Sequence, residues 1–284
     1  MHTFPEVNFS IAPYIDGAVK WCMLHFQPFF DFVSSILLWL MVKTEHFLLW
    51  LPWWLVIIAT CYFGWKATRR IAVGLGMGAA LALIGVLGMW EPMMQTLAIV
   101  GAAVVVSLIL GIPTGIMMAR SNAFEAAIKP ILDAMQTLPS FVYLIPAMMF
   151  FGLGKVPAIM ATVIYAIPPI IRLTNLGIRQ VPEEVVEAGK AFGCTPMQLL
   201  TKIQIPLAMP TIMSGINQTT MMALAMVVVA SMIGAQGMGE LVLLALSRIE
   251  VGNGFEAGLG IVILAIVIDR VLQGFGQQKQ RIPQ

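Results

Sequence analysis

Apolar runs long enough to cross a bilayer recur along most of this sequence. A helix needs about 17–25 mostly apolar residues to traverse ~30 Å of hydrocarbon. Seven segments meet or approach that length: 47–65, 71–89, 93–118, 130–151, 156–171, 206–233 and 255–268, the fifth and seventh being short. Lipid offers no partner for backbone N–H and C=O groups, so runs of this kind resolve into α-helices. The expectation is an all-α integral membrane protein with about seven transmembrane helices. Segment 29–41 is too short to span and carries Asp31, so it reads as an interfacial amphipathic helix. Composition enters only as a check. With 59% hydrophobic and 11% charged residues, the chain has less than half the charge that covers a soluble domain. A soluble monomer and a disordered chain are excluded, and a net charge of +2 makes no basic surface for nucleic acid.

Orientation follows from the basic residues, which are retained on the cytoplasmic side. If 47–65 runs outside to inside, the inner segments collect twelve of the 16 Lys and Arg residues: Lys66, Arg69, Arg70, Arg120, Lys129, Arg172, Arg179, Lys190, Lys202, Arg270, Lys279 and Arg281. Lys20, Lys43, Lys155 and Arg248 remain outside. The N-terminus is therefore expected outside and the C-terminus in the cytoplasm. Three parts follow: an extracytoplasmic tail over 1–46 with the interfacial helix, a transmembrane domain over 47–275, and a cytoplasmic tail over 276–284. The opening MHTFPEV has no basic n-region ahead of an apolar core, which argues against a cleaved signal peptide. Cys22, Cys61 and Cys194 lie far apart, and His2, His25 and His46 all precede the first expected span. Neither a disulfide framework, a metal site nor a histidine proton relay is suggested.

One cytoplasmic link, 172–205, is long enough to have structure of its own. Pro182 suits a first helical position, Glu183 and Glu184 suit the first turn, and Gly193 supplies a left-handed stop. Thr195-Pro196-Met197-Gln198 then reads as a capping box that opens a second helix. That helix ends near Pro206, where the next span begins. Val185, Ala188 and Phe192 share a stripe on the first helix, and Leu199, Leu200 and Ile203 share one on the second. Two short helices around a glycine predict a compact cytoplasmic knob.

Within that knob, Glu187-Ala188-Gly189, Gly193, Ile203, Ile205 and Pro206 resemble the loop of ATP-binding-cassette importer permeases. That pattern is Glu-Ala-Ala, three residues, Gly, nine residues, then Ile-x-Leu-Pro. Gly189 stands for the second alanine and Ile205 for the leucine. The stretch LPSFVYLIPAMMFFGLGKVPAIMATVIYAIPPIIRLTNLGIRQVPEE is similar to the glycine betaine and proline betaine uptake permeases, and the likeness covers roughly residues 70–275.

The resemblance implies a type I ABC importer permease fold in the bacterial cytoplasmic membrane, working by alternating access. It also implies a separate ATPase in two copies that holds ATP and magnesium, an extracytoplasmic substrate-binding protein, and a second copy of this chain as a homodimer. The ATPase-coupling role falls on Glu183, Glu184, Glu187, Ala188, Gly189, Gly193, Thr195, Ile203 and Pro206. The implied substrate is glycine betaine or a related quaternary ammonium osmolyte; choline, carnitine, an amino acid, or a stand-alone secondary transporter are alternatives. The sequence contains no GxxxxGK[ST], HExxH or GxSxG, so the chain brings no cofactor and no catalytic residues of its own.

Residues for the pathway are harder to single out. Phe141, Tyr143 and Tyr165 offer aromatic faces that attract quaternary ammonium, and they equally suit core packing. Asn217 and Gln218 place polar groups inside a span, as pathway groups or as polar links between helices. Asp133 and Gln136 lie one turn apart near an inner end and read as hydrogen-bonding partners. The Gly74/Gly78 and Gly111/Gly115 pairs have GxxxG spacing and read as helix packing. The glycines of GAQGMG, 234–239, predict a break on the outer side, with 240–251 near the outer interface as a candidate surface for the binding protein.

Overall fold

The computed structural model describes residue 10 and residues 12–278, and every regular element among them is helical. Residues 1–9, 11 and 279–284 lie outside the described residues, among them His2, Lys279, Arg281 and most of the expected 276–284 tail.

The N-terminal helix α1, Ala12–Trp50, is 39 residues long and bends at Phe26, two residues ahead of Pro28. Proline lacks a donor and crowds the carbonyl four residues earlier, which accounts for the bend. This corrects two expectations. Segment 29–41 is not a separate interfacial helix, because it lies inside α1 and buries Leu37 and Met41 in a cluster with Ala102, Ala103, Leu144 and Ile159. Segment 47–65 is not one span either: α1 stops at Trp50, and α2 starts at Trp53 after an extended Pro52.

Helices α2 (Trp53–Thr68) and α3 (Ile71–Val86) pack together as a hairpin around Arg69 and Arg70. Its tightness depends on small residues, since a methyl on Gly74 would lie 2.5 Å from the Cys61 carbonyl oxygen. Helix α4 runs Trp90–Arg120, and α5, Asn122–Thr137, starts where Ser121 Oγ accepts the Phe124 amide at 3.2 Å.

The expected span 130–151 is broken. Leu138 is extended, as a residue before proline must be, and the chain turns through Ser140–Tyr143 into α6, Leu144–Phe151, at 109° to α5. Helices α7 (Lys155–Ala166) and α8 (Pro168–Arg179) continue one another as a 25-residue helix whose most apolar stretch is 72% buried, so it forms the centre of the bundle. After α9 (Glu183–Ala191) come the short α10 (Pro196–Gln198), a π-helical segment Leu199–Gln204, α11 (Ile205–Ala225) and α12 (Val227–Ser231). Helices α13 (Met238–Arg248) and α14 (Val251–Gln278) complete the bundle.

Among the described residues, four helices are long and apolar enough to cross a membrane: 12–50, 90–120, 155–179 and 196–225. The bent pair α5–α6 makes a fifth if it counts as one span. Not every one of the seven expected spans reaches that length: α2 and α3 have 16 residues each, and breaks at Pro52 and Pro139 interrupt 47–65 and 130–151. The expected seventh span, 255–268, forms the middle of α14.

Helix α8 sits between α4 and α11. A methyl on Gly115 would come within 2.7 Å of the Ile171 carbonyl oxygen, and one on Gly215 within 3.1 Å of Ile170 Cδ1. Glycine on both flanking helices lets α8 approach closely, the packing role expected for Gly111 and Gly115.

Candidate functional site

Of the expected link 172–205, residues 172–179 belong to α8; the remainder, 180–205, forms the two-helix corner that its residues predict, with two further differences. Pro182 stands one place earlier than expected, as the cap that precedes α9 (φ −53, ψ 133) and not as its first residue, while Glu183 and Glu184 occupy the first turn. At the far end Gly193 takes φ +80, its amide donates to the Lys190 carbonyl at 2.9 Å, and the Cys194 amide reaches back to the Gly189 carbonyl at 3.1 Å. This six-to-one closure with a left-handed residue is the glycine stop expected there. The capping box also forms: Gln198 N donates to Thr195 Oγ1 at 3.3 Å, and Thr195 N donates to Gln198 Oε1 at 2.9 Å.

The other difference lies at Pro206. The second helix of the knob does not stop there but passes into the membrane helix as one 30-residue unit, Pro196–Ala225. The wider π turns of Leu199–Gln204 come just before the proline. Pro206 has no amide to offer and needs room at the preceding turn, and a π segment supplies that room without breaking the helix.

Only one of the two expected stripes turns inward: Leu200 is buried and Leu199 and Ile203 are half-buried, facing Val186 and Gly189 of α9, where a methyl on Gly189 would lie 2.6 Å from Ile203 Cδ1 and 2.8 Å from Leu199 Cδ1. Gly189 thus sets the distance between α9 and the following helix. The other stripe faces out: Phe192 is 89% exposed, and Val185 and Ala188 are also exposed. Glu183, Glu184 and Glu187 stand exposed on α9, as does Pro206 at the start of the next helix.

Residues that the sequence reading used only for orientation tie this knob to the bundle. Arg120, at the end of α4, donates to the Pro196 carbonyl at 3.2 Å. Arg179, at the end of α8, donates from Nε to Asn175 Oδ1 at 2.9 Å, and from Nη2 to the Met118 carbonyl at 2.9 Å and Asn122 Oδ1 at 2.8 Å. It also pairs with Glu125 at 2.9 Å. Arg172 pairs with Asp133. The only sequence signal for these ties is arginine at helix ends beside carboxylates on α5.

The pathway candidates do not converge. Tyr143 is turned into the core and donates to the Met135 carbonyl at 2.6 Å, Tyr165 packs in the same cluster, and Phe141 is exposed. Asn217 donates to Asp269 Oδ1 at 2.8 Å and so joins α11 to α14, while Gln218 is exposed. On the opposite side, the expected break at 234–239 exists, with Gly234 at φ +94 and Gly237 at φ +123. Its residues are folded in: Ala235, Gly237, Met238 and Gly239 are buried, and Met238 N donates to Thr96 Oγ1 at 2.9 Å.

Comparison with known proteins agrees with this architecture. Residues 111–277 match the family described as binding-protein-dependent transport system inner membrane component. The chain is 44% identical over 281 residues to the glycine betaine/proline betaine transport system permease protein ProW of Escherichia coli, covering 98% of this chain and 78% of that protein. It is 45% identical over 274 residues to the glycine betaine/carnitine transport permease protein GbuB of Listeria monocytogenes, covering 94% and 96%. Among solved structures, an inward-facing form of the MetNI methionine ABC transporter superposes with a TM-score of 0.57 at 20% identity, covering 70% of this chain and 96% of that one. That likeness speaks for the fold alone.

Proposed function

Because the chain belongs to the family of binding-protein-dependent transport system inner membrane components, a family that does not itself hydrolyse ATP, we propose that it forms the membrane pathway of an ATP-driven importer for glycine betaine and related quaternary ammonium osmolytes. The observation that carries the substrate class is the near-full-length similarity to permeases named for glycine betaine. Two copies of this chain pair with two copies of a partner ATPase, which hold ATP and magnesium, and an extracytoplasmic binding protein delivers the solute. The exposed face of α9, with Glu183, Glu184, Glu187, Ala188 and Phe192, docks on the ATPase. Gly189, Gly193, Thr195, Ile203 and Pro206 keep α9 in register with the 196–225 helix. ATP binding draws the two knobs together and opens the pathway outward; hydrolysis resets it.

In this reading the knob is cytoplasmic, the C-terminus lies on the same side and the N-terminus lies outside. Seven spans are α2, α3, α4, the bent α5–α6 pair, α7–α8, 196–231 and α14. The distribution of lysine and arginine supports this, as do Trp50, Trp53 and Trp90, which line one cavity at the opposite end. Phe30 stacks on Phe150, and Glu45, fifteen residues later, pairs with Lys155. Both contacts meet the α6–α7 elbow, which supports α1 resting against the outer end of the bundle.

The deciding experiment is uptake of labelled glycine betaine at high external osmolarity, in cells with and without this chain and with other uptake systems deleted. Uptake that depends on both the chain and ATP is expected. Uptake unchanged by its loss rejects the substrate. Competition by carnitine, which the Listeria relative is named for, ranks the alternatives.

A further inference from the structure

Arg179 closes α8 three residues before Pro182. A guanidinium carries its donors in one rigid plane, so it can hold several acceptors in a fixed arrangement, which an ammonium cannot. Here the acceptors come from three helices: Asn175 on α8, the Met118 carbonyl on α4, and Asn122 and Glu125 on α5. The second oxygen of Glu125 accepts from Asn175 Nδ2 at 2.9 Å, which closes a ring of Arg179, Glu125 and Asn175. Asn175 is 7% exposed. Two turns further along α5, Asp133 pairs with Arg172 of α8, so α5 is fastened to α8 at two levels. Within the knob, where its second helix starts, Arg120 holds the Pro196 carbonyl. Both flanks of α9 are thereby tied to the same corner, Met118–Asn122, from which α5 leads to its 109° bend into α6.

We propose that Arg179 is a positioning residue of the coupling loop: with Glu125, Asn175 and Asn122 it fixes the root of α9 to the α4–α5 corner, so that displacement of the loop passes into α5 and its bend. A basic residue present only to mark the cytoplasmic side needs no such set of partners. Without the ring, displacement of α9 is absorbed in the short link Gln180–Pro182. This assignment rests on the coupling role given to the knob above.

The test uses the whole complex, two copies of this chain with its ATPase and binding protein, reconstituted in liposomes. The variants are R179Q, E125Q, N122A and the conservative R179K. ATP hydrolysis and labelled glycine betaine uptake are measured together with ATPase co-purification. R179Q and E125Q should retain the ATPase and its hydrolysis, while solute moved per ATP falls by about fivefold or more. R179K, which keeps the charge and loses the fork, should fall between. A second readout needs no transport: the labelling rate of the native loop thiol Cys194, in permease with Cys22→Ser and Cys61→Ser, should rise in R179Q. An unchanged solute-to-ATP ratio in an assembled R179Q complex, or an unchanged Cys194 rate, overturns the proposal. If R179Q does not reach the membrane, E125Q and N122A decide by the same measures. If the wild-type complex moves no glycine betaine, the functional reading fails, and the Cys194 rate still decides on the ring.

Discussion

The ammonium of Lys155 donates to both carboxylate oxygens of Glu45, 110 residues earlier in the chain, at 2.7 and 3.0 Å. Glu45 is 7% exposed, so the pair fastens α1 to the α6–α7 elbow in a largely dry setting. Removing one partner of such a pair leaves an uncompensated charge, and that loss exceeds what the pair itself contributes. Glu45→Gln or Lys155→Met should each destabilise the detergent-purified protein by about 2 kcal/mol, less than the ~3–5 kcal/mol of a fully buried pair because Lys155 keeps some solvent. The double variant Glu45→Leu with Lys155→Met should recover most of the loss. Thermal unfolding checks this; single variants that melt with the wild type would show that the pair is idle.

Gly189 and Ile203 should behave as a spacing pair. Alanine at 189 meets only the ends of two flexible side chains, Ile203 Cδ1 and Leu199 Cδ1, and gains up to about 1 kcal/mol of helix propensity. Gly189→Ala is therefore expected to transport nearly as the wild type does. Gly189→Leu should push α9 outward and reduce uptake strongly, and adding Ile203→Ala should restore part of it. Rescue measured as initial uptake rate is the check, and a Gly189→Leu rate equal to wild type would refute the spacing role.

Gly193 holds φ +80, a backbone state that costs an L-residue roughly 1–2 kcal/mol. Gly193→Val should turn α9 away from its docking direction and abolish uptake while the chain still inserts. Glu187→Lys, on the exposed face, should weaken ATPase binding without altering thermal stability. Immunoblots of membranes alongside uptake and co-purification separate the two effects.

Topology is open to direct test by thiol labelling in a background with Cys22→Ser, Cys61→Ser and Cys194→Ser. Glu250→Cys and Lys20→Cys should react with an impermeant reagent in intact cells, whereas Lys190→Cys should react only after permeabilisation. Labelling at residue 190 from outside would reverse the orientation. Protection at residue 20 would mean that α1 crosses the membrane.

Much of the knob was legible because its rules are local. The capping box needs only Thr195 and Gln198 three residues apart, and the stop needs only a glycine at 193. Long apolar helices such as α4 were legible for the same reason, with 93–118 expected and Trp90–Arg120 found. What hydropathy hid was the breaks. Pro52 and Pro139 stand inside apolar runs, and a window that averages polarity passes over a missing amide. The ties formed by Glu45, Asn217 and Arg179 were also hidden. Their partners lie 110, 52 and 54–61 residues away, and no periodicity in a single sequence connects such positions. Arg120 and Arg179 entered the reading only as charges that mark a side, although their geometry is what anchors the knob.

The passage from knob to membrane helix without a break, through the π turns ahead of Pro206, has a mechanical consequence. A unit of 30 residues is a stiff rod about 45 Å long at 1.5 Å per residue. A rod pivoting near its middle carries motion across the bilayer by leverage: a tilt of about 5° swings each tip by roughly 2 Å, in opposite senses. A push on one face of the membrane then becomes a pull on the other, with no side chain in between having to change its neighbours.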